Sequence, residues 1–372
     1  AGGYWSYTPQ VISTCSSTQV GCQEKLTIAR PDGSSTVNTF TLDNGAWLTQ
    51  TQQYDNQSNL MANTVSTWDF SNACALQGCH GHNYIRKLSE TVTVPIPGGT
   101  SVTKKTAYSY DTPQKGNVTA VKEWGFYPGT APTFPSIPDR ATYMTYYNTG
   151  ANIINKPQSV TSCNNSGSDS ACTGGGSKVS QTLITYDSYG SGLTTVSNIA
   201  NHDDTNYGAG NTARGNATQT QQWVAGSTYL TTQNQFDTTG QVLEMTDPAG
   251  NPRSFNYADN YFTETGASST SAFTPSAPTN AYAKTITQGG LTSTFGYYYG
   301  DSQQALSTDP NNQTTYSYFW DPDDRPTQSL ESIGWSLITY PSETQADTYT
   351  PVGDTSPSIS CVSCQENELN LD

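Results

Sequence analysis

The sequence predicts an all-β fold: an antiparallel strip or solenoid of β-hairpins, stapled by local disulfides. Three observations predict it. Helical periodicity is nearly absent, turn signals recur at short intervals, and the composition is that of strands. Of 372 residues, 24 are Tyr, 10 Phe and 7 Trp, while only 12% are charged, roughly half the ordinary share of about 25%. Ser, Thr, Asn and Gln are left to solvate the outer sheet faces. Disorder would combine few aromatics with many charges, and this chain does the reverse.

The strands are carried by β-branched and aromatic runs such as 178–186 (KVSQTLITY) and 228–236 (TYLTTQNQF), each followed by turn residues. The turns stand at Asp32-Gly33, Asn44-Gly45, Pro97-Gly98-Gly99, Asp247-Pro248-Ala249-Gly250-Asn251 and Asp309-Pro310-Asn311-Asn312, where Gly, Pro, Asp and Asn punctuate the chain. Two longer polar loops, 163–178 and 266–280, interrupt the pattern. The same composition resumes on each side of both, so 1–372 is expected to be one continuous unit, with sub-boundaries only at those loops.

A degraded repeat underlies the turns. Phe236-Asp237-Thr238-Thr239-Gly240-Gln241 leads through Asp247-Pro248-Ala249-Gly250-Asn251 to Tyr257, a unit of about 21 residues. Asp309 heads a second Asp-Pro turn about three such units later and runs on through Tyr316 and Tyr318 to Asp324-Arg325. Earlier Tyr-Asp heads stand at Tyr54-Asp55, Tyr110-Asp111 (with Gly116-Asn117) and Tyr186-Asp187. Each hairpin in such a strip buries one face by stacking on its neighbours. Tyr suits the role, with an apolar body turned inward and a hydroxyl reaching a rim partner.

At these residues the chain resembles the Rhs/YD-repeat family of exported bacterial proteins, with the best match over roughly 236–325. The resemblance implies antiparallel hairpins coiling into a shell or solenoid. The chain departs from that pattern in its irregular, Cys-interrupted repeats and in carrying no recognisable core-closing segment or toxin C-terminus. Its last residues, Glu368-Leu369-Asn370-Leu371-Asp372, look like the opening strand of a further repeat. Its start, Ala1-Gly2-Gly3-Tyr4-Trp5, has neither a basic nor an apolar leader region. Both ends fit a piece of a larger ancestor or precursor, left by processing or by an internal cut.

The eight cysteines fall into four local pairs: Cys15 with Cys22, Cys74 with Cys79, Cys163 with Cys172, and Cys361 with Cys364. An even number at short spacing in a polar chain predicts disulfides and an oxidising, extracellular or cell-surface location. The competing reading at one pair is a zinc site of Cys74, Cys79, His80 and His82.

The net charge of −15 disfavours nucleic acid, which needs clustered Lys and Arg. No run is long and apolar enough to insert in a membrane as a helix. The search for chemistry yields little. Three His, no nucleophile elbow and no phosphate loop predict that the protein is not an enzyme. Asp203 and Asp204, and Asp321, Asp323 and Asp324, offer clustered oxygen ligands for a structural calcium ion. The same acids also suit turn caps, and no other cofactor is expected. Asn56, Asn117, Asn164, Asn216 and Asn312 each begin an Asn-x-Ser/Thr triplet and are candidate glycan acceptors.

The reading that fits these features is an extracellular structural protein, a filament or surface-fibre subunit whose partner is another copy of itself. Leu369 and Leu371 would seat in a neighbouring subunit when the last strand is added to its sheet. The alternatives are an Rhs-like shell fragment, a carbohydrate-binding adhesin module, or a secreted glycoside hydrolase with paired carboxylates.

Overall fold

The computed structural model describes residues 4–14, 21–43, 45–71, 82, 84–111, 116–149, 152–165, 172, 176–190, 192–331, 334–343, 345–351 and 364–370. All regular structure among them is β-strand. By spatial proximity the chain divides into two compact units, one of 1–184 with 221–229 and one of 185–220 with 230–372. The division falls just past the loop 163–178, inside a strand, whereas 266–280, expected to be a loop, lies within the second unit and contains the strand Ser269–Phe273, whose alternating Ser and Thr pair in a hairpin with 261–266. Where composition is uniform, sequence marks loops but not the point at which contacts thin out.

The first unit is an antiparallel meander. Its strands are β1 (Ser6–Val11), β2 (Cys22–Ala29), β3 (Ser35–Leu42), β4 (Ala46–Tyr54), β5 (Leu60–Asp69), β6 (Arg86–Val94), β7 (Val102–Tyr110), β8 (Val118–Pro128), β9 (Arg140–Tyr147) and β10 (Lys156–Asn164). Each pairs with the next, and β10 continues onto β11 (Ser177–Tyr186). The chain crosses into the second unit along β11, β12 (Ala217–Ala225) and β13 (Thr228–Phe236).

The second unit continues the meander with shorter strands. These are β14 (Val242–Thr246), β15 (Pro252–Asn256), β16 (Tyr261–Gly266), β17 (Ser269–Phe273), β18 (Thr285–Gln288), β19 (Leu291–Tyr298), β20 (Gln304–Thr308), β21 (Thr314–Tyr318), β22 (Gln328–Glu331), β23 (Gly334–Ser342), β24 (Gln345–Pro351) and β25 (Cys364–Asn370). The hairpin β16–β17 is set between β15 and β18, which pair with each other. It touches the meander through a short parallel pairing of β16 with β19, Tyr261 opposite Tyr297.

The packing follows from the composition. The largest fully buried side chains are Thr103, Thr161, Thr238, Asp237, Pro138 and Cys163, and none is a large aliphatic. Buried polar groups must be hydrogen-bonded, and these are. Thr103 bonds Thr93 and the Gly129 carbonyl at 2.9 and 2.7 Å, Gln181 donates to Thr161 at 3.0 Å, and the Thr238 hydroxyl donates to the Val196 carbonyl at 3.1 Å. Tyrosines supply much of the apolar area and satisfy their hydroxyls at the rim. Tyr110 donates to the Lys87 carbonyl, Tyr146 to Val118, Tyr257 to Val242 and Tyr298 to Ser317, at 2.8–3.0 Å.

Cys163 and Cys172 form the expected disulfide, with Cα atoms 5.5 Å apart. It lies buried in a cluster with Ala120, Ala141 and Tyr143. Cys22 is disulfide-bonded. Cys15, Cys74, Cys79 and Cys361, and the side chain of Cys364, lie outside the described residues.

Candidate functional site

The repeat turn is the unit from which the surface is built. In Asp55–Asn59, Asp237–Gln241, Asp247–Asn251 and Asp309–Gln313 the backbone closes identically. The Asp N–H donates to the carbonyl four residues on, and the residue at the fourth position donates back to the Asp carbonyl. One carboxylate oxygen accepts the N–H groups two and four residues on, at 2.7–3.0 Å. The fourth position needs positive φ: Ser58 65°, Gly240 91°, Gly250 85° and Asn312 62°. Gly and Asn reach this region at least cost and fill three of the four turns, with Ser58 the exception.

The same cap closes longer loops. The Asp111 N–H donates to the Asn117 carbonyl, while Asn117 Nδ2 donates to Asp111 Oδ2 at 2.9 Å. Asp187 accepts from the backbone of Arg214, Gly215 and Asn216 at 2.8–3.1 Å, so the whole segment 188–214 is inserted inside one turn. Arg214 locks that segment by donating to the carbonyls of Asn211, Tyr207, Gly208 and Thr238.

The five acids proposed for calcium do not converge on a cation. Asp203 Oδ1 accepts from the backbone of Thr205 and Asn206, Oδ2 from the Asn206 amide. Asp204 accepts from Asn198 and pairs with His202 at 2.7 Å. Asp321 holds Arg325 through two bonds of 2.8 and 2.9 Å, and Asp323 lies 3.5 Å from the same guanidinium. Among the described residues no group of His, Cys, Asp and Glu is arranged to hold a metal ion. Turn geometry consumes the oxygens first.

His82 is committed to Asp43, with Nδ1 to Oδ2 at 2.6 Å, while His80 lies outside the described residues. Of the candidate acceptor asparagines, Asn56, Asn164 and Asn312 are exposed. Asn117 is buried with its amide nitrogen bonded to Asp111 and to the Ile154 carbonyl, and the Asn216 amide nitrogen is buried as well. These two do not fit the role, because the attachment atom faces inward.

Two surfaces stand out from this uniform background, both in the second unit. The first is β25. It pairs along its whole length with β24, from Gln345 opposite Asn370 to Pro351 opposite Cys364, and has no partner on its other side among the described residues. Tyr349 donates across the ladder to Glu366 at 2.9 Å, a bond that, ahead of burial, holds its phenol above the ordinary 10.0. Leu369 stands opposite Ala346 and is 58% exposed. Within the single chain the strand lies on its own sheet and leaves this leucine, expected to seat in a neighbouring subunit, in solvent. Leu371 lies outside the described residues.

The second surface is the turn after β21. Phe319, Trp320, Asp321, Pro322 and Asp324, with Glu264 of β16, line a cavity of about 360 Å³. Glu264 Oε1 accepts the Phe319 N–H at 2.5 Å, and Trp320 N–H bonds Thr327 Oγ1. Burial first, and then the Glu264 charge, raises the Tyr298 phenol beside it. The Arg325 guanidinium stacks 4.0 Å from the Tyr340 ring, which fixes the turn from behind.

No protein-family model matches the chain, and no curated protein matches it. Among solved structures it is similar to a chain in the crystal structure of TcdB2-TccC3-Cdc42, at 12% identity and a TM-score of 0.30 over 93% of this chain and 20% of that one. It is similar to a chain of TcdB2-TccC3-TEV at 12% identity and 0.29, over 88% and 18%. A porin-like protein from Bacteroides uniformis aligns at 11% identity and 0.19, over 83% and 93%. The chain spans about a fifth of the length of the TcdB2-TccC3 chains. Overlaps at these scores carry no argument about the site.

Proposed function

We propose that this protein is an extracellular structural subunit that forms filaments by exchange of β25, the strand of one copy pairing with β24 of the next. The observation that carries the reading is the one-sided seat of β25, a seven-residue ladder on β24 with exposed side chains from Gln365 to Leu369. The ladder is chemically the same within one chain or between two, so exchange conserves its hydrogen bonds and must offset only the entropy of association. Twelve residues, 352–363, separate β24 from β25 in the sequence, more than the 2–5 usual for a hairpin loop. The contact is head-to-tail, and such contacts generate open filaments where the rotation does not close. The Cys163–Cys172 disulfide supports the oxidising compartment.

Deleting 366–372 tests the reading. Electron microscopy should then find folded monomers and no filaments, and undiminished filaments would overturn it. A second arm pairs Tyr349→Cys with Glu366→Cys, which face each other across the ladder. Oxidised filaments should give a ladder of covalent oligomers on a denaturing, non-reducing gel. Crosslinks confined to single chains sink the exchange.

A further inference from the structure

Four of the seven tryptophans carry a cation over the ring. Trp5 carries Arg30 over its ring, Trp68 carries Lys87, Trp124 carries Lys105 and Trp223 carries Lys178, all within 5.2–5.6 Å of the ring centre. Trp320 does not. It is 53% exposed at the cavity between β16 and the turn after β21, and among the described residues no Lys or Arg lies over it.

The walls around it are acidic. Arg325 neutralises Asp321 and lies 3.5 Å from Asp323, but Glu264 and Asp324 have no basic partner among the described residues. Glu264 is half-buried, where an ionised carboxylate lacks part of its hydration and gains most from a counter-charge. The two sides of the cavity therefore ask for one kind of guest: a cationic head for the carboxylates and a polarised alkyl stem for the ring face. The whole chain works in the same direction, since its net charge of −15 concentrates cations near its surface.

We propose that this cavity binds an aliphatic ammonium group, the ammonium against Glu264 and Asp324 and its methylene stem across Trp320. Lysine side chains and free polyamines share that chemistry. A neutral sugar would use the ring but leave both carboxylates without a counter-charge, so the amine fits better. The site is independent of β25, and its test does not depend on assembly.

Isothermal titration of the full chain at low salt, with spermidine and with the peptide Gly-Lys-Gly, decides the matter. At least one probe should bind saturably at a single site. Trp320→Ala should weaken it about tenfold, and Glu264→Gln by a similar factor. Acetylation of the lysine amine should abolish peptide binding. Binding of spermidine alone assigns a free polyamine, binding of the peptide alone a protein-borne lysine, and either result supports the site. No saturable binding overturns the proposal. So does binding that neither substitution changes, which marks diffuse attraction to an acidic surface. Trp320 is exposed, so its variant should fold as the parent does and keeps the test decisive even if Glu264→Gln does not.

Discussion

One carboxylate per turn organises this protein at the level of single residues. Asp237 is fully buried and its oxygens accept from Thr239 (N and Oγ1), Gln241 and Asn280. Removing it takes the acceptor from four half-buried donors, so Asp237→Ala should cost about 3 kcal/mol in urea unfolding. The equivalent Asp247→Ala, at a half-buried position whose turn bonds face solvent, should cost clearly less, because water can replace the lost acceptor. A result in which both cost the same would mean that burial is not what sets the price. The fourth turn position predicts opposite signs from backbone alone. Gly240→Ala, with nothing within 4 Å of the added carbon, should destabilise by about 1 kcal/mol, whereas Ser58→Gly should stabilise by about 0.5 kcal/mol. Thermal melts of the pair measure both.

At the scale of elements, the turn is a socket that accepts insertions of very different length. Asp55 closes three residues, whereas Asp187 closes all of 188–214 and still bonds the Gly215-Asn216 backbone as its shorter counterparts do. The Tyr-Asp heads were visible in sequence as turn starts. Asn117, the partner of Asp111, stood beside its head in the sequence, whereas Asn216, the partner of Asp187, lies far along the chain and only folding brings it back. The Cys163–Cys172 loop shows the opposite case, a local constraint legible from spacing alone. In the chain-entropy account a loop of this length contributes roughly 3 kcal/mol. Cys163→Ala with Cys172→Ala should lower the stability of the first unit by about that amount, read as an earlier urea transition. An unchanged midpoint would place its stability elsewhere.

Across the whole molecule, the turn acids and rim tyrosines set a window of pH. Hydrogen bonds from neighbouring side chains and backbone hold Asp55, Asp247 and Asp309 below the ordinary 3.8. Their contribution is complete above 3.8 and is lost as pH falls through the depressed native values. Burial raises Tyr110, Tyr257, Tyr297 and Tyr318 above the ordinary 10.0. That contribution is complete below 10.0 and is lost as pH rises through the native values. The urea midpoint followed against pH should therefore be flat between about 4 and 10 and fall on both sides. A sloping line through that range would show that other groups dominate.

The sequence by itself determined the fold class, the turn positions and the Cys163–Cys172 pair. Each is a local property: strand composition, positive φ at Gly or Asn, and short loop closure act within a few residues. Tertiary structure decided the rest. Asp203 and Asp321 carry the same chemistry in sequence whether they hold calcium or cap a turn, and only the positions of Asn206 and Arg325 settle which. Glu264 and Trp320 are separated by five strands, β17 to β21, and meet in one cavity, and β25 finds its edge on β24 beyond the segment 352–363. Pairing and charge neutralisation depend on who arrives alongside, and that is fixed by the folded chain rather than by its neighbours in sequence.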